Sequence, residues 1–235
     1  PAAIASHMHG SIAEWLERAD GEPARIAAHW EASAARQRAL PWLHKAAERA
    51  SAAMRPREGV EFLMRAANLE AETATPEQAF DTLAAIVDGR LYVDRAAELV
   101  PVLDRLDALA DNPVQRIGAL LLRADYSMHR KERLDDGLTA AERAVELATQ
   151  AGHDWFRVGA TLTAAILRTM QGDYAGAERL TVEVLPDVRR WPAREQRCNL
   201  LGKAGFVFNR AGLTVRAVDM FDVSAGSDLS DHRRL

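Results

Sequence analysis

Apolar and small residues recur three and four positions apart along nearly the whole chain, the spacing that lines one face of an α-helix. In RIAAHWEASAARQRALPWLHKAAERA, Ile26, Ala27 and Trp30 share one face; after a short break, Leu40, Leu43, Ala46 and Ala47 share another. In REGVEFLMRAANLEAE, an apolar stripe runs through Val60, Leu63, Met64, Ala66 and Ala67. Start signals agree with this pattern. Pro41 suits a first helical turn, where its missing N–H costs nothing. Thr75 precedes Pro76 and lies three residues before Gln78, a capping-box arrangement. Asn112 precedes Pro113 in the same way, and Asp154 reads as the cap of a helix through Phe156, Val158, Leu162, Ala165, Ile166 and Thr169. Breaks are expected near Gly21, Pro56, Gly89, Asp111, Asp135, Gly152, Gly172, Pro192 and Gly212. The segments between them run to about 12–18 residues, giving about twelve helices and no strand. Connections this short fold neighbours into antiparallel hairpins.

The hairpins repeat. Small residues open the second helix of each pair at Ala96, Gly137, Ala177 and Ala217, about 40 residues apart. Their counterparts on the first helix are Ala84, Ala124, Ala165 and Gly205, and tight turns recur at Gly172 and Gly212. A close crossing of small residues, flanked by large ones such as Phe208 and Phe221, is how two helices pack at short range. Periods of this length mark helix-turn-helix solenoids.

GATLTAAILRTMQGDYAGAERLTVEVL and NLLGKAGFVFNRAGLTVRAVDMFDVSA carry the clearest copies. Ala165, Gly172 and Ala177, then Gly205, Phe208, Gly212, Ala217 and Phe221, stand at the small, turn and aromatic positions of the tetratricopeptide repeat, which the chain resembles from about Ala24 to Ala225. The departures are a missing Trp in the first helix and a unit nearer 40 than about 34 residues. The longer unit, the early run RIAAHWEASAARQRALPWLHKAAERASAAMRPREGVEFLMRAANLE, and His9, Ile12 and Ala13 ahead of it are similar to a narrower group. That group is the helical stretch following the ATPase module of large bacterial signalling ATPases: LuxR-type and maltose-regulator-like activators and some multidomain nucleotide cyclases. The resemblance implies an all-α, right-handed α-solenoid of about six helix pairs. Residues 1–22 would be a helix or linker from a preceding module, 23–225 the superhelical domain, and 226–235 a truncated tail. The missing initiator Met and the ending SDLSDHRRL suggest a piece of a longer protein.

Composition fits this picture. Hydrophobic residues make up 48% and aromatics 6%, with Ala, the strongest helix former, at many apolar positions. The formal net charge of −4 gives no support to a nucleic-acid surface. A single cysteine, Cys198, rules out an internal disulfide and a thiolate metal cage. No apolar run approaches the roughly 18–20 residues that span a bilayer. The N-terminus lacks the regions of a signal peptide, so the expected compartment is the cytoplasm.

Several strings imitate chemistry. LLGKAG contains Gly-Lys, but Arg197 stands where a phosphate loop needs its first Gly, and Ala204 where it needs Ser or Thr. LTAAERAVELATQAG resembles the first helix of a LuxR-type DNA-binding domain, but the following HDWFRVGATLTAAIL is apolar-periodic rather than a recognition helix. His7 and His9, two apart, fall on different helix faces, and His29, His44, His129 and His153 are scattered. Glu70/Glu72, Asp135/Asp136 and Asp219/Asp222 read as solvated faces and capped turns. Trp15, Trp30 and Trp42 read as core between the early helices, with a ligand cage as the alternative. Arg189, Arg190, Arg194 and Arg197 around Trp191 form a candidate anion or peptide patch, since guanidinium forks bind carboxylates bidentately. No catalytic group, cofactor or metal is expected.

The expected function is a non-catalytic interaction and regulatory scaffold. In the tetratricopeptide pattern the first helix of each pair lines the concave groove. Carried over, that implies Asp81, Asp88, Asp125, Met128, Thr169, Asn199, Phe206 and Asn209 as the partner surface. The partner would be a peptide or a protein domain, such as an ATPase or output domain of the same chain. The alternative is an inducer-binding sensor with a pocket inside the superhelix.

Overall fold

A computed structural model describes residues 2–71, 75–93 and 99–225. Two compact units divide the chain, Pro1–Ala110 and Asp111–Leu235. Among the described residues there are twelve α-helices, one short 3-10 helix and no strand.

The first unit holds α1 (Ala2–Arg18), α2 (Pro23–Glu31), a 3-10 turn (Arg36–Ala39), α3 (Leu40–Ala52), α4 (Pro56–Glu70), α5 (Pro76–Val93) and α6 (Val100–Leu109). Its core joins Ala13 and Leu16 of α1 to Ile26, Ala27 and Trp30 of α2, Leu43, Ala46, Ala47 and Ala50 of α3, and Phe62, Ala66 and Leu69 of α4. The capping box forms: Gln78 N–H donates to Thr75 Oγ1 at 3.3 Å, and Thr75 N–H donates to Gln78 Oε1 at 3.1 Å.

The second unit holds α7 (Pro113–Arg130), α8 (Leu134–Gln150), α9 (Asp154–Met170), α10 (Tyr174–Arg190), α11 (Arg194–Arg210) and α12 (Thr214–Ala225). Each helix packs on the next, and α9 also packs on both α7 and α11. The first helices of the three hairpins therefore lie side by side. Small residues make the crossings. Ala124, Ala140, Ala141 and Ala164 join α7, α8 and α9, and Ala165, Ala177 and Val207 join α9, α10 and α11. A Cβ on Gly137 would stand 2.6 Å from Ser127 Cβ, so only glycine permits the α7–α8 approach. Gly172 and Gly212 close the hairpin turns at φ of +87° and +77°, a region that L side chains rarely adopt. Lys131 takes this left-handed role after α7, at φ 55°.

Some expectations need correction. Gly89 does not break a helix; it lies inside α5, where its missing side chain admits Val60 Cγ2, 2.6 Å from where a Cβ would stand. Asp154 is the first residue of α9 rather than its cap, which is His153. Asn112 does cap, its Oδ1 accepting from Gln115 N–H at 3.0 Å. Trp30 is buried and Trp42 half-buried, but Trp15 is 60% exposed because it points off the side of α1 away from Ala13 and Leu16. Glu70 is not on a solvated face; it is buried in the last turn of α4. Glu72, Ala96 and the tail 226–235 lie outside the described residues.

Candidate functional site

On α11, Asn199, Phe206 and Asn209 are all exposed and share one helix face by their spacing. Phe206 keeps 42% of its surface in solvent. Gly202, between them, would meet nothing within 4 Å if it carried a Cβ, so the backbone there is open. On α7, Asp125 and Met128 are half-buried; Met128 also packs against the α7–α8–α9 core. Thr169, the α9 residue of the expected groove, is buried, and its hydroxyl donates to the Ala165 carbonyl at 2.8 Å. It belongs to the core, and the half-buried α9 residues at that end are Ile166, Arg168 and Met170. In the first unit, Asp81 and Asp88 are both exposed on α5.

The arginine patch is largely engaged. Arg189 pairs with Asp219 at 3.2 Å, and Arg190 with Asp187 at 3.4 Å. Arg197 donates to the Trp191 carbonyl at 2.6 Å, while exposed Arg194 opens α11. The Trp191 ring packs on Trp155 at 5.3 Å, and its indole N–H donates to Gln196. These contacts knit α10, α11 and α12 together. Arg157 adds a tie from α9 to α10 through Asp187 at 2.7 Å, and that bond chiefly holds the Asp187 carboxyl below its ordinary range.

The early tryptophans build a polar knot rather than a cage. Glu17 Oε1 accepts from both indoles, Trp30 Nε1 at 2.6 Å and Trp42 Nε1 at 2.8 Å. Arg38 stacks 3.6 Å from the Trp30 ring centroid and donates to Glu17 Oε2 at 3.2 Å. Chain-distant histidines also meet, with His9 Nδ1 2.9 Å from His29 Nδ1. Burial is the main cause holding the His29 pKa below its usual value; His9 and Arg25 add to it.

One concavity escaped the sequence reading. A cavity of about 500 Å³ lies between α3, α4 and α5, lined by Leu40, Pro41, His44, Glu70, Gln78, Asp81 and Thr82. Glu70 Oε1 is 3.0 Å from His44 Nε2. Its Oε2 is buried and has no hydrogen-bond partner among the described residues. His44 thus spends its Nε2 on a carboxylate rather than on the Thr82 hydroxyl, so no activated nucleophile is assembled there. Among the described residues, no group of three His, Cys, Asp or Glu side chains is placed to hold a metal ion, and no helix is long and apolar enough to cross a membrane.

No protein-family model matches the chain, and no curated protein matches it. Solved structures do. The chain is similar to nearly identical TPR-like repeats assigned to a kinesin light chain of Podosopora anserina, with a TM-score of 0.59 and 14% identity over 84% of this chain and 98% of that one. A single-substitution form of the same repeats gives 0.60 and 14%, over 84% of this chain and 97% of that one. Identity this low speaks for the fold alone. This chain has a TPR-like helical repeat fold.

Proposed function

We propose that this chain is a non-catalytic scaffold whose second unit binds a peptide or protein domain on the face formed by α7, α9 and α11. The supporting observation is the side-by-side packing of these three first helices, with Phe206 half in solvent between exposed Asn199 and Asn209. Exposed aromatics flanked by amides suit a peptide, since the ring supplies area and the amides supply orientation. Asp125 and Met128 extend the surface on α7, and Ile166 and Met170 replace Thr169 on α9. In the first unit, Asp81 and Asp88 on α5 offer an acidic counterpart. The arginines of the α10–α12 connection contribute to assembly of the unit more than to ligand contact.

The scaffold would be the cytoplasmic regulatory region of a larger bacterial regulator, spanning residues 23–225, with an attached ATPase or output domain as the natural intramolecular partner. Support for this comes from the early run through Leu69 and the 40-residue unit. A random-peptide display selection against the whole chain tests the binding reading. Selected peptides measured by calorimetry should lose about tenfold or more in affinity when Phe206 and Asn209 are both changed to Ala. Peptides that ignore both changes would refute it.

A further inference from the structure

We propose that the cavity floored by Glu70 binds a cationic nitrogen head group, an alkylguanidinium or primary ammonium, presented by a free amine or by an Arg or Lys side chain. This goes beyond the scaffold reading and shares only Asp81 with it. Glu70 is 8% exposed in the last turn of α4. A buried carboxylate is costly unless both oxygens receive hydrogen bonds. The fold supplies one donor group, His44, to Oε1 and leaves buried Oε2 without a partner among the described residues. That oxygen is an acceptor in want of an N–H.

The surrounding walls select the donor. Leu40 and Pro41 form an apolar side that can hold an alkyl stem, as packed Lys and Arg stems do elsewhere. Buried Thr82 lies deep, while Gln78 and Asp81 stand exposed at the rim. Two carboxylates at different depths disfavour an anion. A single metal ion does not suit them either, because among the described residues no three ligating side chains come within reach of one point. A group with several N–H donors on a carbon stem complements the charge of Glu70 and Asp81, which line the same cavity, and ionised pairs make the stronger hydrogen bonds. The volume of about 500 Å³ accommodates such a side chain together with water. The chain has an internal rival: Arg105 shares a smaller neighbouring cavity with Glu70, yet it forms no ion pair with it.

The test titrates the whole chain with agmatine and with Nα-acetyl-argininamide, using Nα-acetyl-citrullinamide as the uncharged control of matching shape. At least one cationic probe should bind and the citrulline probe should not. Agmatine alone would identify a free amine, and argininamide would identify a peptide side chain. Glu70→Gln keeps the shape and the contact to His44, and should weaken binding about tenfold or more. Asp81→Asn, at the exposed rim and outside the core, should weaken it a few-fold. Equal binding to the wild type and Glu70→Gln overturns the proposal, as does absence of binding by both cations at millimolar concentration. Phe206→Ala should leave these affinities unchanged, so the scaffold surface and this pocket can fail separately.

Discussion

The two units solve the same packing problem in different ways. In the second, hairpins repeat with small residues at each crossing, glycine or a left-handed lysine at each turn after a first helix, and first helices that touch one another. Arg168 joins Glu142 of α8 and Asp173 of the next turn, and Arg216 joins Glu178, so successive hairpins are also cross-linked by ion pairs. In the first unit, among the described residues, alternate α-helices are joined through side chains, Glu17 of α1 to Trp42 of α3 and Arg65 of α4 to Glu31 of α2, rather than by close backbone approach. A 3-10 turn interrupts the series, and a carboxylate bridging two indoles holds α1, α2 and α3 together. Regular stacking leaves a continuous side-chain surface; irregular stacking leaves a cavity and a buried, half-satisfied acid. That contrast is why the surface is assigned to one unit and the pocket to the other.

The contrast can be broken at its polar knot first. Glu17→Ala strips the acceptor from Trp30 and Trp42 and should cost about 2–4 kcal/mol in urea unfolding, because the buried Trp30 N–H left unpaired bears its full desolvation penalty and half-buried Trp42 loses its bond as well. A loss under about 0.5 kcal/mol, within the range of ordinary surface substitutions, would make the knot ornamental. Next comes the small-residue crossing. Gly137→Ala should destabilise by about 1–3 kcal/mol through overpacking on Ser127, although alanine is the better helix former. Stabilisation would show that the α7–α8 approach is looser than described.

The turns sharpen the comparison within the second unit. Gly172→Ala should cost about 1 kcal/mol, and Lys131→Gly, at the matching turn, should gain up to about that much. Equal signs would deny that the two positions are equivalent. The smallest effect is in pH. The His29 pKa is lowered in the fold, so the unfolded chain takes up that proton more readily, and stability falls as pH drops through and below 6.5. In the second unit, Asp173 is held low mainly by the Gly176 amide and then by Arg168, and Asp187 mainly by Arg157. Their contribution is complete above the ordinary value of 3.8 and disappears as pH falls through the lower folded values. Amide exchange followed during acidification should therefore loosen α1 and α2 before α9 and α10. The opposite order would contradict these assignments.

Local signals carried most of the fold. Thr75 with Gln78, Asn112, Gly172 and Gly212 each act through their own backbone, so their meaning is written in adjacent residues. Gly89 misled because glycine serves both a turn and a close approach, and only Val60, distant in the chain, decides which. Thr169 misled because a threonine can satisfy its hydroxyl on its own helix and then sit in a core. Asn199, Phe206 and Asn209 came from the tetratricopeptide pattern rather than from a local signal; their spacing puts them on one side of α11, where all three are exposed. The pocket was not legible. Nothing around Glu70 distinguishes it from the surface carboxylates of other helix ends, and its neighbours His44 and Asp81 come from other helices.

The α7, α9 and α11 surface is tested most directly by mapping amide exchange on the whole chain with a selected peptide bound. Slowed exchange at residues 125–128, 166–170 and 199–209, with α8, α10 and α12 unchanged, is the expected result. Protection confined to α8, α10 or α12 would contradict it.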